Sequence, residues 1–232
     1  MARRAHARVG RDGLGLTTRL VTWAGSAAAL HGRPIGPATR VTELRAIRRA
    51  VVLGRAQRVD DDFDARAAAA GFGVARRVSG GSAVVVGPGE CVWVDVVVAR
   101  DAPGWNDDIG KAGCWMGDQW VAALAAVGVG DLRVHRTAME RRPGSEAVCF
   151  AGVGSGEVLR AGGAGAGQKL VGVSQRRTRD WALFQCAIPL RWEPAALIDL
   201  LGAAATPAAE AAVATLDPAT AAAAVAALAA LL

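Results

Sequence analysis

The chain has 232 residues, 52% of them hydrophobic, which is enough material for one large core or two small ones. Its 27 Lys plus Arg against 21 Asp plus Glu give +6, but the surplus is almost all arginine alongside an alanine excess, and no aromatic-interleaved basic stripe or helix-turn-helix pattern supports nucleic-acid binding. Cys91, Cys114, Cys149 and Cys186 form no CxxC or Cys/His cluster, so neither a zinc site nor a disulfide framework is supported, and reduced thiols in a cytoplasm are expected.

Residues 1–16 read as a disordered basic tail with no signal-peptide core behind it. A short strand is expected at 20–23, a helical turn at 25–30 and a Gly/Pro loop at 31–37. The run Ala50, Val51, Val52, Leu53 predicts a buried strand ended by Gly54. Asp60, Asp61 and Asp62 place negative charge before a short helix over 63–70, and Gly71 stands where it would stop. Residues 73–100 read as three strands joined by glycine turns, fitting an antiparallel meander. In the last of them Val92, Val94, Val96 and Val98 share one face, leaving Trp93, Asp95 and Val97 on a face expected to be wetter.

Asp107 and Asp108 introduce the longest periodic helix, with Ile109, Ala112, Met116, Trp120, Leu124 and Val127 on one face before Gly128. Met116 and Trp120 at that spacing are expected to be core. A short apolar run, 147–150, precedes Gly152, and residues 181–190 predict a final strand with Ala182, Phe184, Cys186 and Ile188 on one face. Residues 194–201, 207–216 and 218–232 read as three helices opened by proline. The alanine-rich stretch 203–232 is interrupted by Pro207, Glu210 and Asp217-Pro218 and is too weakly apolar for a membrane span. Strands joined mostly by glycine turns favour an α+β layout over a doubly wound parallel sheet.

Three glycine-bearing segments carry candidate chemistry: residues 76–82, residues 152–157, and Gly167-Gln168-Lys169 with Gly172 and Ser174 behind it. None is a Walker loop or a dinucleotide fingerprint. Together they hold an arginine pair, backbone N–H groups, a carboxylate and a lysine, which can hold an activated phosphate-bearing ligand. Lys169 is one of only two lysines. Spacing alone also fits a hairpin with a solvated lysine at its mouth.

Arg76-Arg77-x-Ser79-Gly80-Gly81-x-Ala83-Val84, followed by Gly156-Glu157 and then Gln168-Lys169-x-Val171-Gly172-x-Ser174, resembles the lipoate-protein ligase family. Val51-Val52-Leu53-Gly54-x-x-Gln57 and Phe184-Gln185 extend the resemblance, which spans roughly residues 20–201. It implies a mostly antiparallel mixed sheet covered by helices, of the biotin and lipoate ligase type related to class II aminoacyl-tRNA synthetases. On this basis 17–202 is the expected catalytic domain and 203–232 a helical extension. The implied reaction activates lipoate or a related medium-chain fatty acid with ATP and Mg²⁺, then acylates a lysine of a lipoyl carrier domain. That acceptor belongs to a 2-oxoacid dehydrogenase or to the glycine cleavage H protein.

Carried onto this chain, the resemblance gives Lys169 the acyl carbonyl and α-phosphate, and Arg77 the adenylate phosphate. Ser79, Gly80, Gly81, Gly172 and Ser174 line the substrate and adenylate pocket, and Glu157 helps hold Mg²⁺. The chain departs from the family pattern at Ser82, at Val86-Gly87 where many members have His-Asp, and at Gly156 in place of asparagine. Cys149-Phe150 also resembles the octanoyltransferase branch, in which a cysteine takes octanoyl from a carrier without ATP; Cys149 equally suits a small buried hydrophobe. A third reading keeps the fold only as an acyl or adenylate binding module.

Overall fold

The computed structural model describes residues 3–7 and 20–232; residues 1–2 and 8–19, and with them most of the expected tail, lie outside the described residues. The valine-rich strand β7 (Cys91–Ala99) is the axis of the molecule, as β-branched side chains suit a pleated surface buried on both faces. It pairs antiparallel with β3 (Arg40–Ala46) and β11 (Trp181–Pro189). Outward from β3 come β2 (Val21–Gly25), in parallel, and β1 (Arg3–Ala7). Outward from β11 come β10 (Lys169–Arg177), β9 (Val158–Arg160) and β8 (Leu132–Val134), all antiparallel. The eight-stranded sheet is therefore mixed and mostly antiparallel, as expected of an α+β chain. Arg3–Ala7, read as part of a disordered tail, forms its edge strand.

Helix α3 (Ile109–Ala126) covers one face of this sheet, its first turn capped by the Asp108 carboxylate, which accepts the Lys111 N–H at 3.0 Å. Met116, Trp120 and Leu124 are fully buried with Val94, Val96 and Val98, so the predicted helix face and strand face meet in the main core. Ile109 departs from that pattern and stays exposed. Helix α5 (Pro218–Leu231), capped by Asp217, adds Val225 and Leu228 to the same core.

The expected meander over 73–100 does not form. Strand β5 (Gly73–Arg76) pairs in parallel with β4 (Ala50–Leu53), which pairs antiparallel with β6 (Val84–Val86), making a separate three-stranded sheet. The α2 helix (Phe63–Ala69) supplies the crossover that a parallel β4–β5 pair needs. This small sheet and α1 (Ala27–His31) lie against the second face of β7, where Leu30, Val52 and Val86 cluster with Trp93. The face expected to be wetter is thus closed, and Asp95 is 0% exposed.

After α4 (Ala195–Leu201), the helix expected over 207–216 is replaced by a 3-10 segment, Gly202–Glu210, and an extended stretch. Tertiary hydrogen bonds override alanine's helix propensity here: Lys169 N–H donates to Ala212 O at 2.8 Å and Ala214 N–H to Lys169 O at 2.9 Å. The alanine-rich end of the chain therefore grips the backbone of Lys169 from outside the sheet.

Candidate active site

Strand β10 begins at Lys169 and runs along a cavity of about 1040 Å³. The opposite wall is the turn after β5, containing Ser79, Gly80 and Gly81, and a third side is the loop 145–157. That loop is fastened to the start of β6: Ala83 N–H donates to Ala147 O, Cys149 N–H to Ala83 O, and the Ser82 hydroxyl to Ser145 O at 2.6 Å. Gln57 adds a strut, donating to Ala147 O while accepting the Gly54 N–H. Cys149 is thereby held at the cavity wall on a 3-10 turn, Cys149–Ala151.

Lys169 is buried, so the solvated-hairpin reading fails. Its ammonium pairs with Glu157 Oε2 at 2.8 Å and donates to Cys149 O at 2.9 Å and Gly152 O at 3.1 Å. Those three partners account for its three donors. The ring of Phe150 lies below it at 4.7 Å. Gly172 makes room for this packing, because a Cβ there would sit 3.4 Å from Lys169 Cε and 3.1 Å from the Phe150 ring.

Glu157 is equally committed. Beyond Lys169 it accepts the Gly154 N–H at 2.7 Å and the Val173 N–H at 3.2 Å. Three of the carboxylate's roughly four acceptor sites are thus taken, by Lys169 and two backbone N–H groups, and the ammonium at 2.8 Å opposes a second cation there, which disfavours the metal role expected for Glu157. Among the described residues no group of three His, Cys, Asp or Glu side chains could hold a metal ion.

Of the expected site residues, Ser79, Gly80, Gly81, Cys149, Glu157, Lys169 and Ser174 all border the cavity. Gly172 lies behind it, under Lys169. Arg77 is buried away from the cavity and braces its own turn by donating to Ser82 O. Gly81 has a left-handed φ of 104° and passes so close to that guanidinium that a Cβ would lie 2.7 Å from it. Arg77 acts on the site through Cys149: burial alone would raise that thiol, but the charges of Arg77 and Lys169 hold it below its ordinary value. The thiols of Cys91 and Cys186, without such neighbours, are pushed by burial up to about 12.

The departure at Gly156 has a local reason. Its φ is 89° and a Cβ would fall 2.3 Å from the backbone of Gly113 in α3, while Gly117 likewise abuts Gly156 O. Three glycines let the helix and the loop touch through backbone, which places Glu157 beneath Lys169.

Sequence reasoning did not assign Asp95 and Gln185 to the site. Asp95 accepts from Arg33 at 2.5 Å, from Trp93 Nε1 at 2.9 Å and from Gln185 Nε2 at 3.3 Å; Gln185 Oε1 in turn accepts the Ser79 hydroxyl at 2.7 Å. A carboxylate inside a run of valines was the available signal. The arginines lining the cavity, Arg55, Arg141, Arg176 and Arg177, lie in loops or at strand ends and carry no pattern.

The chain resembles several solved structures. A crystal structure of lipoate-protein ligase A bound with ATP is 19% identical, with a TM-score of 0.63, covering 90% of this chain and 83% of that one. A lipoate protein ligase from Thermoplasma acidophilum with bound lipoic acid is 20% identical, with a TM-score of 0.58 and coverage of 85% and 74%. A bipartite ligase from the same archaeon, described with its E2 lipoyl domain, is 20% identical with a TM-score of 0.59, over 85% and 72%. No curated protein sequence matches the chain significantly. The family model for the lipoyl protein ligase A/B catalytic domain matches residues 23–231, nearly the whole chain, and the protein belongs to that family.

Proposed function

We propose that this protein transfers a medium-chain acyl group of the octanoyl or lipoyl class to a lysine of a lipoyl carrier domain, by way of a thioester on Cys149. The observation that carries this reading is the Cys149 thiol at the cavity wall, held below its ordinary pKa by Arg77 and Lys169 against the opposing effect of burial. A thiolate is the nucleophilic form of cysteine. It would attack the carbonyl of an acyl thioester, forming the Cys149–acyl bond while the donor's carbon–sulfur bond breaks and the donor leaves as a thiol after taking up a proton. The neutral ε-amine of the acceptor lysine then attacks the same carbonyl. An amide forms, the Cys149 carbon–sulfur bond breaks, the nitrogen sheds its proton to solvent and the thiolate returns.

Lys169 serves this sequence as a fixed positive charge beside the thiolate and the developing oxyanion. Its three donors are already engaged, so direct contact with a substrate oxygen would require it to release Gly152 O or Cys149 O.

A second reading, ATP-dependent activation of the free acid as an adenylate, is favoured by the charge of the cavity. Arg55, Arg141 and Arg176 line it without a salt bridge among the described residues, which suits a polyphosphate. The fold's ATP-bound and lipoate-bound relatives lend support. The acceptor in either case would be a lipoyl domain of the 2-oxoacid dehydrogenase E2 or glycine cleavage H protein type.

One comparison separates the readings. Purified protein and an apo-lipoyl domain are incubated either with an octanoyl-carrier thioester alone or with octanoate or lipoate, ATP and Mg²⁺, and modification is followed by intact mass. Transfer from the thioester that vanishes in Cys149→Ser supports the first reading. Transfer only with ATP, persisting in Cys149→Ser, replaces it with the second, and binding of acyl ligands with neither transfer would leave a binding module.

A further inference from the structure

Asp95, Gln185 and Ser174 stand directly opposite one another on three adjacent strands, β7, β11 and β10, and form a buried polar line ending at the cavity. The direction of the protons along this line follows from its buried end. Among the described residues every hydrogen-bond partner of the Asp95 carboxylate is a donor: the Arg33 guanidinium, the Trp93 indole N–H, and the Gln185 amide, whose Nε2 lies 3.3 Å from each carboxylate oxygen. An ionised carboxylate only accepts. It therefore fixes the Gln185 amide with NH₂ inward and Oε1 toward Ser79.

Oε1 also only accepts, so the Ser79 hydroxyl must spend its single proton on Gln185, at 2.7 Å. In the Ser79–Ser174 contact at 2.9 Å the donor must then be Ser174; its other inward partner, Gln185 O at 3.4 Å, is likewise an acceptor. On either choice the Ser174 proton points into the protein and its remaining lone pairs face the cavity. Ser174 is thus an acceptor there, and the complementary ligand atom is a hydrogen-bond donor. Ser174 lies on the same face of β10 as Gly172, two residues and about 7 Å along, and Gly172 packs directly on the Lys169 side chain.

We propose that Ser174 accepts the N–H of the nitrogen being acylated, aiming that nitrogen's lone pair at the acyl carbonyl, and that Asp95 and Gln185 are positioning residues that set the polarity of this contact. The proposal deepens the transfer reading and rests on it for the identity of the nitrogen.

The test is binding without turnover. An Nε-octanoyl-lysine peptide keeps an N–H at the reacting position, whereas the matching octanoyl ester puts a non-donating oxygen there. Titrated by calorimetry, the native protein should favour the amide about tenfold, the size of one net hydrogen bond. Ser174→Ala should abolish that preference, Ser174→Thr should keep it, and Gln185→Met, which frees the serine pair to reverse, should shrink it. Equal binding of amide and ester by the native protein, or a preference that survives in Ser174→Ala, overturns the proposal. Because binding is read directly, absence of acyl transfer would count against the proposed function alone.

Discussion

The Lys169 ammonium and the Glu157 carboxylate form an ion pair at 2.8 Å, with side chains 1% and 5% exposed. A desolvated pair of this kind adds little net stability as a pair, yet removing one member leaves the other buried without its counter-charge. Lys169→Met should therefore cost about 3–5 kcal/mol of unfolding free energy. Glu157→Gln should do likewise, and the double variant should recover much of the loss. Urea unfolding of the three variants measures this. If each single variant is as stable as the native protein, the pair is not the strut that the geometry describes.

The same ammonium bears on Cys149, and so does Arg77. Burial works to raise the thiol while the two cations lower it, and the cations prevail. Reaction with iodoacetamide, followed against pH, should titrate at Cys149 below the ordinary thiol range. Arg77→Met should move that midpoint upward. The sign follows from the thiolate being the reactive form: a cation lost is thiolate lost at any given pH. An unmoved midpoint would mean that Arg77 only braces the Gly81 turn.

Gly156 offers a substitution, to the asparagine that the sequence resemblance implies at this position, that is expected to harm the protein. Asparagine tolerates a left-handed backbone better than most residues, but its Cβ would still meet the Gly113 backbone at 2.3 Å. Gly156→Asn should destabilise by about 1–3 kcal/mol through overpacking, seen as a lower urea midpoint. Gly113 and Gly117 are already glycine, so no smaller residue can relieve the clash from the helix side.

Much of this architecture was legible in the sequence wherever a period or a chemical scarcity spoke. Met116, Trp120 and Leu124 at helical spacing and alternating Val94, Val96 and Val98 marked the main core, and the lysine behind a glycine turn borders the cavity of the candidate site. Pairing was not legible: the β4–β5–β6 sheet needs a parallel crossover, while its short glycine-separated strands imitate a meander. The buried setting of Asp95 was also hidden, because alternation shows that its face differs from the valine face and not that α1 and a second sheet will close over it. Residues 211–216 misled for a related reason. Alanine favours helix locally, but the free backbone groups of Lys169 offered hydrogen bonds that only the folded chain could supply.

The closed second face of β7 also carries a pH dependence. His31 packs on Trp93 with ring centroids 4.5 Å apart, and burial, followed by the charges of Arg33 and then Arg77, lowers its pKa from 6.5 to about 3. The folded protein thus holds His31 neutral where the unfolded chain would protonate it. Its contribution to stability is fully present above pH 6.5 and is lost as pH falls toward about 3. Within that window one such group changes unfolding free energy by at most about 1.4 kcal/mol per pH unit. His31→Gln, which cannot titrate, should flatten the difference in urea midpoint between pH 7 and pH 5 while native protein loses stability over the same interval. Equal acid sensitivity in the two proteins would place the titrating group elsewhere; Asp95, whose pKa burial raises despite Arg33, has the opposite sign, since a carboxyl that binds its proton more tightly when folded gains stability as pH falls.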